Sequence, residues 1–196
     1  MLYIRDRKTF DAKVLAPFVL TEIRALRSSI FKGTPEVQRA LAIAGPIERK
    51  YDLTRNDLWV PALETAIAIL EPLAGTMLTG TLRRIGYELF PQFVAIMGIP
   101  AANVKVAMGI KDGADLVRTM CNNFAQCVTG PDAGAMTFAA TASGATVTDT
   151  TFLPCQLQMG ALLGGGQLAG VFRDNALVER RCRSKGDTVC VFEFTF

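Results

Sequence analysis

Apolar residues recur at helical spacing through roughly the first two thirds of the chain and at alternate positions through much of the rest, so the sequence predicts helices first and strands later. Residues 10–31 place Val14, Leu15, Phe18, Val19, Ile23 and Leu26 at helical spacing and predict a helix, with Pro17 as a point of division or kinking. A shorter helix is predicted over 35–44, opened by Pro35 and ended at Gly45-Pro46. Thr54 or Asn56 is placed to cap a third helix over 58–73, apolar on nearly every face, with Pro61 in its first turns. Gly75 and Gly80 punctuate the next stretch. An amphipathic helix bent at Pro91 is then expected over 81–97. Over 111–128, Leu116, Val117, Met120, Cys121, Phe124 and Val128 form one stripe, closed by Gly130-Pro131.

The pattern then changes. Residues 135–142 and 146–153 alternate as strands do, around a turn at Ser143-Gly144, and the β-branched run from Thr146 to Thr151 supports them. Residues 155–173 read as helix again. The spans 176–183 and 188–196 form a second predicted hairpin, turning at Lys185-Gly186-Asp187. On its last strand Cys190, Phe192, Phe194 and Phe196 share one face, and Val189, Val191, Glu193 and Thr195 the other. The order helices–hairpin–helix–hairpin predicts an α+β fold, with N-terminal helices packed on a four-stranded antiparallel sheet.

Composition narrows the function classes. Half of the 196 residues are hydrophobic, enough for a large core. The net charge of +3 comes from 21 basic and 18 acidic residues, mixed along the chain. The one short basic cluster, Arg180, Arg181, Arg183 and Lys185, would split between the faces of a strand, which argues against nucleic-acid binding. Charges at the N-terminus argue against a signal peptide, so a cytoplasmic location is expected. The stretch 150–172 lacks charge but holds Pro154, three glutamines and five glycines, and reads as a buried helix rather than a membrane span. The chain has no histidine, so no Ser-His or Cys-His pair and no imidazole ligand to haem or zinc can form within it. No nicotinamide or flavin motif is present, and the glycines of 160–170 match neither a phosphate-binding loop nor a dinucleotide fingerprint. The reading is non-enzymatic.

Five cysteines without a signal peptide suggest free thiols or metal ligands. Cys182 and Cys190 are equidistant from Gly186, so a hairpin turning there sets them opposite each other, with Cβ atoms about 4.5–5.5 Å apart. That distance suits two thiolates on one metal, a disulfide, or simple core packing. Cys155 opens the preceding helix, where the N-terminus favours a thiolate. Glu179 lies three residues before Cys182, on the opposite face of a flat strand, and can join them only through a bulge or strong twist. Cys121 and Cys127, six apart on a helix, read as core.

The run Pro154-Cys155, a glycine-rich helix, then Glu179, Cys182-Arg183, Gly186-Asp187 and Cys190 is similar to the C-terminal signature of the 4-vinyl-reductase domain family. Ile85-Gly86-Tyr87-Glu88 resembles the helix before the pocket in its sensor members, the phenol- and toluene-responsive activators. The resemblance implies a zinc held by Cys155, Glu179, Cys182 and Cys190, structural because four protein ligands leave no open position. It also implies division into a helical extension, residues 1–50, and a ligand-binding domain, residues 51–196. The expected ligand is a hydrophobic small molecule, with Phe90, Phe93, Met97, Met159 and Leu163 lining a mostly apolar pocket. Phenol sensing is disfavoured, because those sensors orient the hydroxyl with a His and a Trp, and Trp59 lies too early to match. A more distant likeness to vesicle-tethering transport-particle subunits implies a homodimer and leaves open a dimeric assembly factor, and haem nitric-oxide-binding domains share the same order of helices and sheet. The resemblance to the vinyl-reductase family also leaves open an accessory role in (bacterio)chlorophyll tetrapyrrole synthesis.

Overall fold

A computed structural model describes residues 4, 6–73, 79–172 and 176–196; Gly75 lies outside them. Near the N-terminus a short strand β1 (Lys13–Leu15) leads directly into α1 (Ala16–Ser28). The predicted helix over 10–31 is therefore shorter and starts later. Pro17 lies in its first turn, where a missing N–H costs nothing, so it begins the helix instead of kinking it.

Helix α2 (Pro35–Lys50) is capped by the Thr34 hydroxyl, which accepts from the Val37 N–H. It runs through Gly45-Pro46 instead of ending there. Val37, Ala40, Ala44 and Ile47 form one buried stripe along it, and this packing outweighs the local cost of an internal proline.

The predicted helix over 58–73 is largely replaced. Trp59–Pro61 form a strand, β2, and only Ala66–Leu70 (α3) with the 3-10 turn Glu71–Leu73 are helical. Val60, fully buried, pairs with Val14, and the pairing to β1 overrides the local helical spacing. Pro61 is accommodated because β2 is an edge strand. Thr54 caps no helix; its N–H and hydroxyl both donate to Asp52 in a turn.

The central helices follow the expectations more closely. They are α4 (Thr79–Ile96, containing Pro91), the short α5 (Val104–Ala107) and α6 (Gly113–Cys127), whose Asp112 cap accepts from the Asp115 N–H. Strand β3 (Val128–Thr129) joins β1, giving a small sheet in the order β2-β1-β3.

The fold is α+β, with a four-stranded antiparallel sheet as expected. Its strands are β4 (Met136–Thr141), β5 (Gly144–Asp149), β6 (Leu177–Arg181) and β7 (Cys190–Thr195), in the order β4-β5-β7-β6. Between its two hairpins runs α7 (Cys155–Leu168). Strand β5 ends at Asp149, short of the predicted Leu153, and the chain turns there so that Phe152 and Leu153 enter the core.

Ala145, Val147, Phe192 and Phe194 are buried on one face of the large sheet, which α6 meets through β4 and β5. Helices α4 and α7 make the closest approach. A Cβ at Gly160 would overlap the Arg83 carbonyl, one at Gly164 the Tyr87 carbonyl, and one at Gly86 the Leu157 carbonyl. These glycines let two backbones touch, which is why α7, apolar on nearly all sides, can be buried. Residues before 51 share one hydrophobic core with those after it: Val14, Ile23 and Val37 belong to the same cluster as Phe192. Among the described residues no single helix is long and apolar enough to cross a membrane.

Candidate metal centre and adjoining cavity

The turn of the last hairpin is built by Gly186, whose φ of +100° is open to glycine and strained for other residues. Asp187 secures it, its carboxylate accepting from the Cys182 N–H at 2.8 Å. Along β6 the register shifts: Glu179 faces Phe192, while Arg181 faces Val191, so Arg180 is an extra residue in the strand. Glu179 is on the core-facing side through its pairing with Phe192, and the bulge returns Cys182, three residues on, to that same side. Its carboxylate is almost buried, at 9% exposure, and accepts from Gln156 Nε2 at 3.3 Å and Lys185 Nζ at 2.8 Å.

Cys155, Cys182 and Cys190 come together in the interior, their sulfur atoms all within 4.8 Å of one another, and this group could hold a metal ion. Cys155 Sγ and Cys182 Sγ lie 2.8 Å apart. The Glu179 carboxylate does not join this group, being engaged by Gln156 and Lys185. Burial raises the Cys182 thiol pKa, with the hydrogen bond to Cys155 adding to it. Cys190 is lowered instead, first by its hydrogen bond with Cys155 and then by Arg183, whose backbone N–H and Nε donate to its sulfur at 3.4 and 3.5 Å. Cys121 and Cys127 lie apart on α6, their thiols pushed up to about 12 and about 11 by burial.

One helical turn along α7 from Cys155 the surroundings change from polar to apolar. A cavity of about 80 Å³ opens between α1, α4, α6 and α7. Phe18 and Thr21 of α1, Leu89, Phe90 and Phe93 of α4, and Met120, Asn123, Phe124 and Cys127 of α6 wall it, with Gln158, Ala161 and Leu162 of α7 and Met136 of β4. The Thr21 hydroxyl is engaged with the Pro17 carbonyl and the Gln158 amide with Thr151.

Of the residues expected from sequence to line a pocket, Phe90 and Phe93 are in this wall. Met97 follows the end of α4 at 53% exposure, Met159 is buried and Leu163 half-buried, and none of the three borders the cavity. Trp59 lies on β2, 40% exposed. Sequence reasoning missed Phe18, Phe124 and Gln158. Gln158 did carry a signal: a polar side chain in a charge-free buried helix must find a partner.

An α+β domain with a buried thiol cluster and an apolar chamber is the class that these observations define. No protein-family model matches this chain, and neither does any curated protein sequence. Solved structures do match in fold. A triply substituted H-NOX protein from S. oneidensis in the Fe(II) ligation state aligns with a TM-score of 0.53, at 12% identity over 90% of this chain and 96% of that one. The H-NOX protein in the Fe(II)NO state gives 0.50 at 13% identity, over 90% and 99%. A solution structure of an H-NOX domain from Shewanella oneidensis in the Fe(II)CO state gives 0.50 at 12%, over 89% and 97%. At these identities the likeness is one of fold.

Proposed function

We propose that this chain is a non-enzymatic binding protein for a hydrophobic small molecule, stabilised by a structural zinc at Cys155, Glu179, Cys182 and Cys190. The observation that carries the reading is the cavity, walled mainly by aromatic and aliphatic side chains of four helices. An apolar cavity of about 150 Å³ holds benzene. At about 80 Å³ this one takes a molecule of a few heavy atoms as folded, and a monocyclic aromatic requires the walls to yield. A tetrapyrrole would require the helices to separate, which disfavours the tetrapyrrole reading. The fold neighbours are described in Fe(II), NO and CO ligation states, and this chain offers no imidazole with which to hold such an iron.

The donor set fits zinc. Tetrahedral coordination with Zn–S of about 2.3 Å places sulfurs about 3.8 Å apart, inside the 4.8 Å span of the cluster, with the Cys155–Cys182 pair, at 2.8 Å, having to part to admit the ion. Soft thiolates favour zinc over hard cations. Glu179 would complete the set by exchanging its contacts with Gln156 and Lys185 for the metal. The likeness of residues 154–194 to the 4-vinyl-reductase signature supports the same four ligands. When bound, the metal supplies cross-linking; it ties α7, the bulged strand and β7 at one point.

Native mass spectrometry of the untreated protein tests both parts. One zinc per chain and an additional apolar mass are expected. Zinc below about a tenth of an equivalent overturns the metal site. A screen of apolar ligands with no bound mass and no thermal shift overturns the binding role. The same spectra report whether the chain forms the homodimer that the transport-particle likeness implies.

A further inference from the structure

A continuous set of buried polar contacts runs between the cavity wall and the thiol cluster. It starts at Gln158, which borders the cavity and donates through Nε2 to Thr151 Oγ1 at 3.3 Å. Thr151 donates its N–H to Asp149 Oδ1 at 2.8 Å. Arg183 then spans the gap: Nη1 donates to the Thr151 carbonyl at 2.6 Å and Nη2 pairs with Asp149 Oδ2 at 3.5 Å. Its Nε and backbone N–H reach Cys190 Sγ. Thr151 and Asp149 are fully buried, Gln158 is 5% exposed and the Arg183 side chain 10%. Cys155 and Gln158 are three residues apart on α7 and so neighbours on its surface.

We propose that the chain Gln158–Thr151–Asp149–Arg183–Cys190 couples the cavity to the metal centre, so that a change at the wall alters how tightly the metal is held. The inference rests on the zinc-and-cavity reading. Its physical basis is that a buried polar network is stable only when every member is satisfied. Moving Gln158 leaves Thr151 short of a partner. The shortfall falls on Asp149 and Arg183, and Arg183 is the group that holds Cys190 oriented toward the other thiols. Such outer contacts typically change metal affinity about 10–100-fold. By linkage, a molecule that binds the cavity and changes zinc affinity by some factor has its own affinity changed by that factor when zinc binds.

A double-mutant cycle tests this on the full chain, with zinc affinity read by competition against a chromophoric chelator. Gln158→Leu is expected to lower zinc affinity about tenfold and Arg183→Gln about 10–100-fold. The combined variant should lose little more than Arg183→Gln alone, since either change breaks the same chain. Losses that multiply, or a Gln158→Leu protein within about twofold of wild type, overturn the coupling. Should a variant fail to fold, the wild type supplies the test: stripping zinc is expected to shift the side-chain amide NMR signals of Gln158, and unmoved signals overturn the proposal. A wild type that binds no zinc overturns the metal reading and the coupling together, whereas zinc binding with multiplying losses overturns the coupling alone.

Discussion

The two regions served by α7 are built on opposite principles. At its N-terminus Cys155 meets Cys182 and Cys190 in a cluster bordered by Glu179, Arg183 and Ser184, and position is fixed by hydrogen bonds and strand register. Further along, Ala161 and Leu162 face Phe90, Phe93 and Phe124 across a chamber that shape defines. Directional contacts hold atoms in place and leave the site intolerant of change. Apolar packing holds volume and leaves room for something to enter. One helix carrying both makes the thiol end an anchor and the apolar end a receptor wall.

The largest effect should come from breaking the anchor. Cys182→Ser or Cys190→Ser is expected to lower unfolding stability by several kcal/mol, because structural zinc binding is also folding free energy. Denaturant titration reads the loss, and chelator treatment of the wild type should reproduce it. Equal stability of the Ser variants and the wild type in zinc-replete buffer would falsify the anchoring role.

A smaller effect is expected at the helix contact between the two regions. Gly160→Ala forces a methyl group against the Arg83 carbonyl, so α4 and α7 must separate, at a cost of about 1–3 kcal/mol. The separation should widen the chamber, read as tighter binding of a monocyclic aromatic probe. A variant with wild-type stability would show that α4 and α7 take up the methyl group without parting.

The smallest effect at neutral pH concerns Glu22 of α1, which is 1% exposed with both carboxylate oxygens lacking a hydrogen-bond partner. Burial raises its pKa well above the ordinary 4.5. A raised folded pKa gives stability that is fully present below about 4.5 and lost as pH rises through the folded value. Glu22→Gln, which cannot ionise, should therefore match the wild type in acid and become increasingly more stable than it as pH rises. Thermal melts from pH 5 to 9 check the sign, and a difference independent of pH would mean that Glu22 is already relieved by a rearrangement.

How much the residue order reveals differs between the regions in the same way. The facing of Cys182 and Cys190 follows from their spacing about Gly186, and the structure shows the turn there. Glu179 requires a bulge, which is present at Arg180, but nothing in the residue order announces a bulge. In the helical region the spacing of Leu58–Leu73 reads as helix, while Trp59–Pro61 join a sheet whose other members come from residues 13–15 and 128–129. Such short strands carry too few residues to show a period of two. The cavity is half legible: Phe90 and Phe93 lie on its wall and Met97, Met159 and Leu163 do not, because the rotation of α4 and α7 about their axes is set by the glycine contact between them.

The sequence by itself determined the α+β order of elements, the hairpin that pairs two cysteines, the close-packing glycines and the exclusion of any histidine chemistry. Those are properties of local spacing and residue type, which act over a few residues. Tertiary structure alone decided that Trp59–Pro61 form a strand, that Pro46 sits inside a helix, and which faces of four helices wall a chamber. Each of these depends on free energy gained between segments far apart in the chain, where burial of apolar surface outweighs local preference.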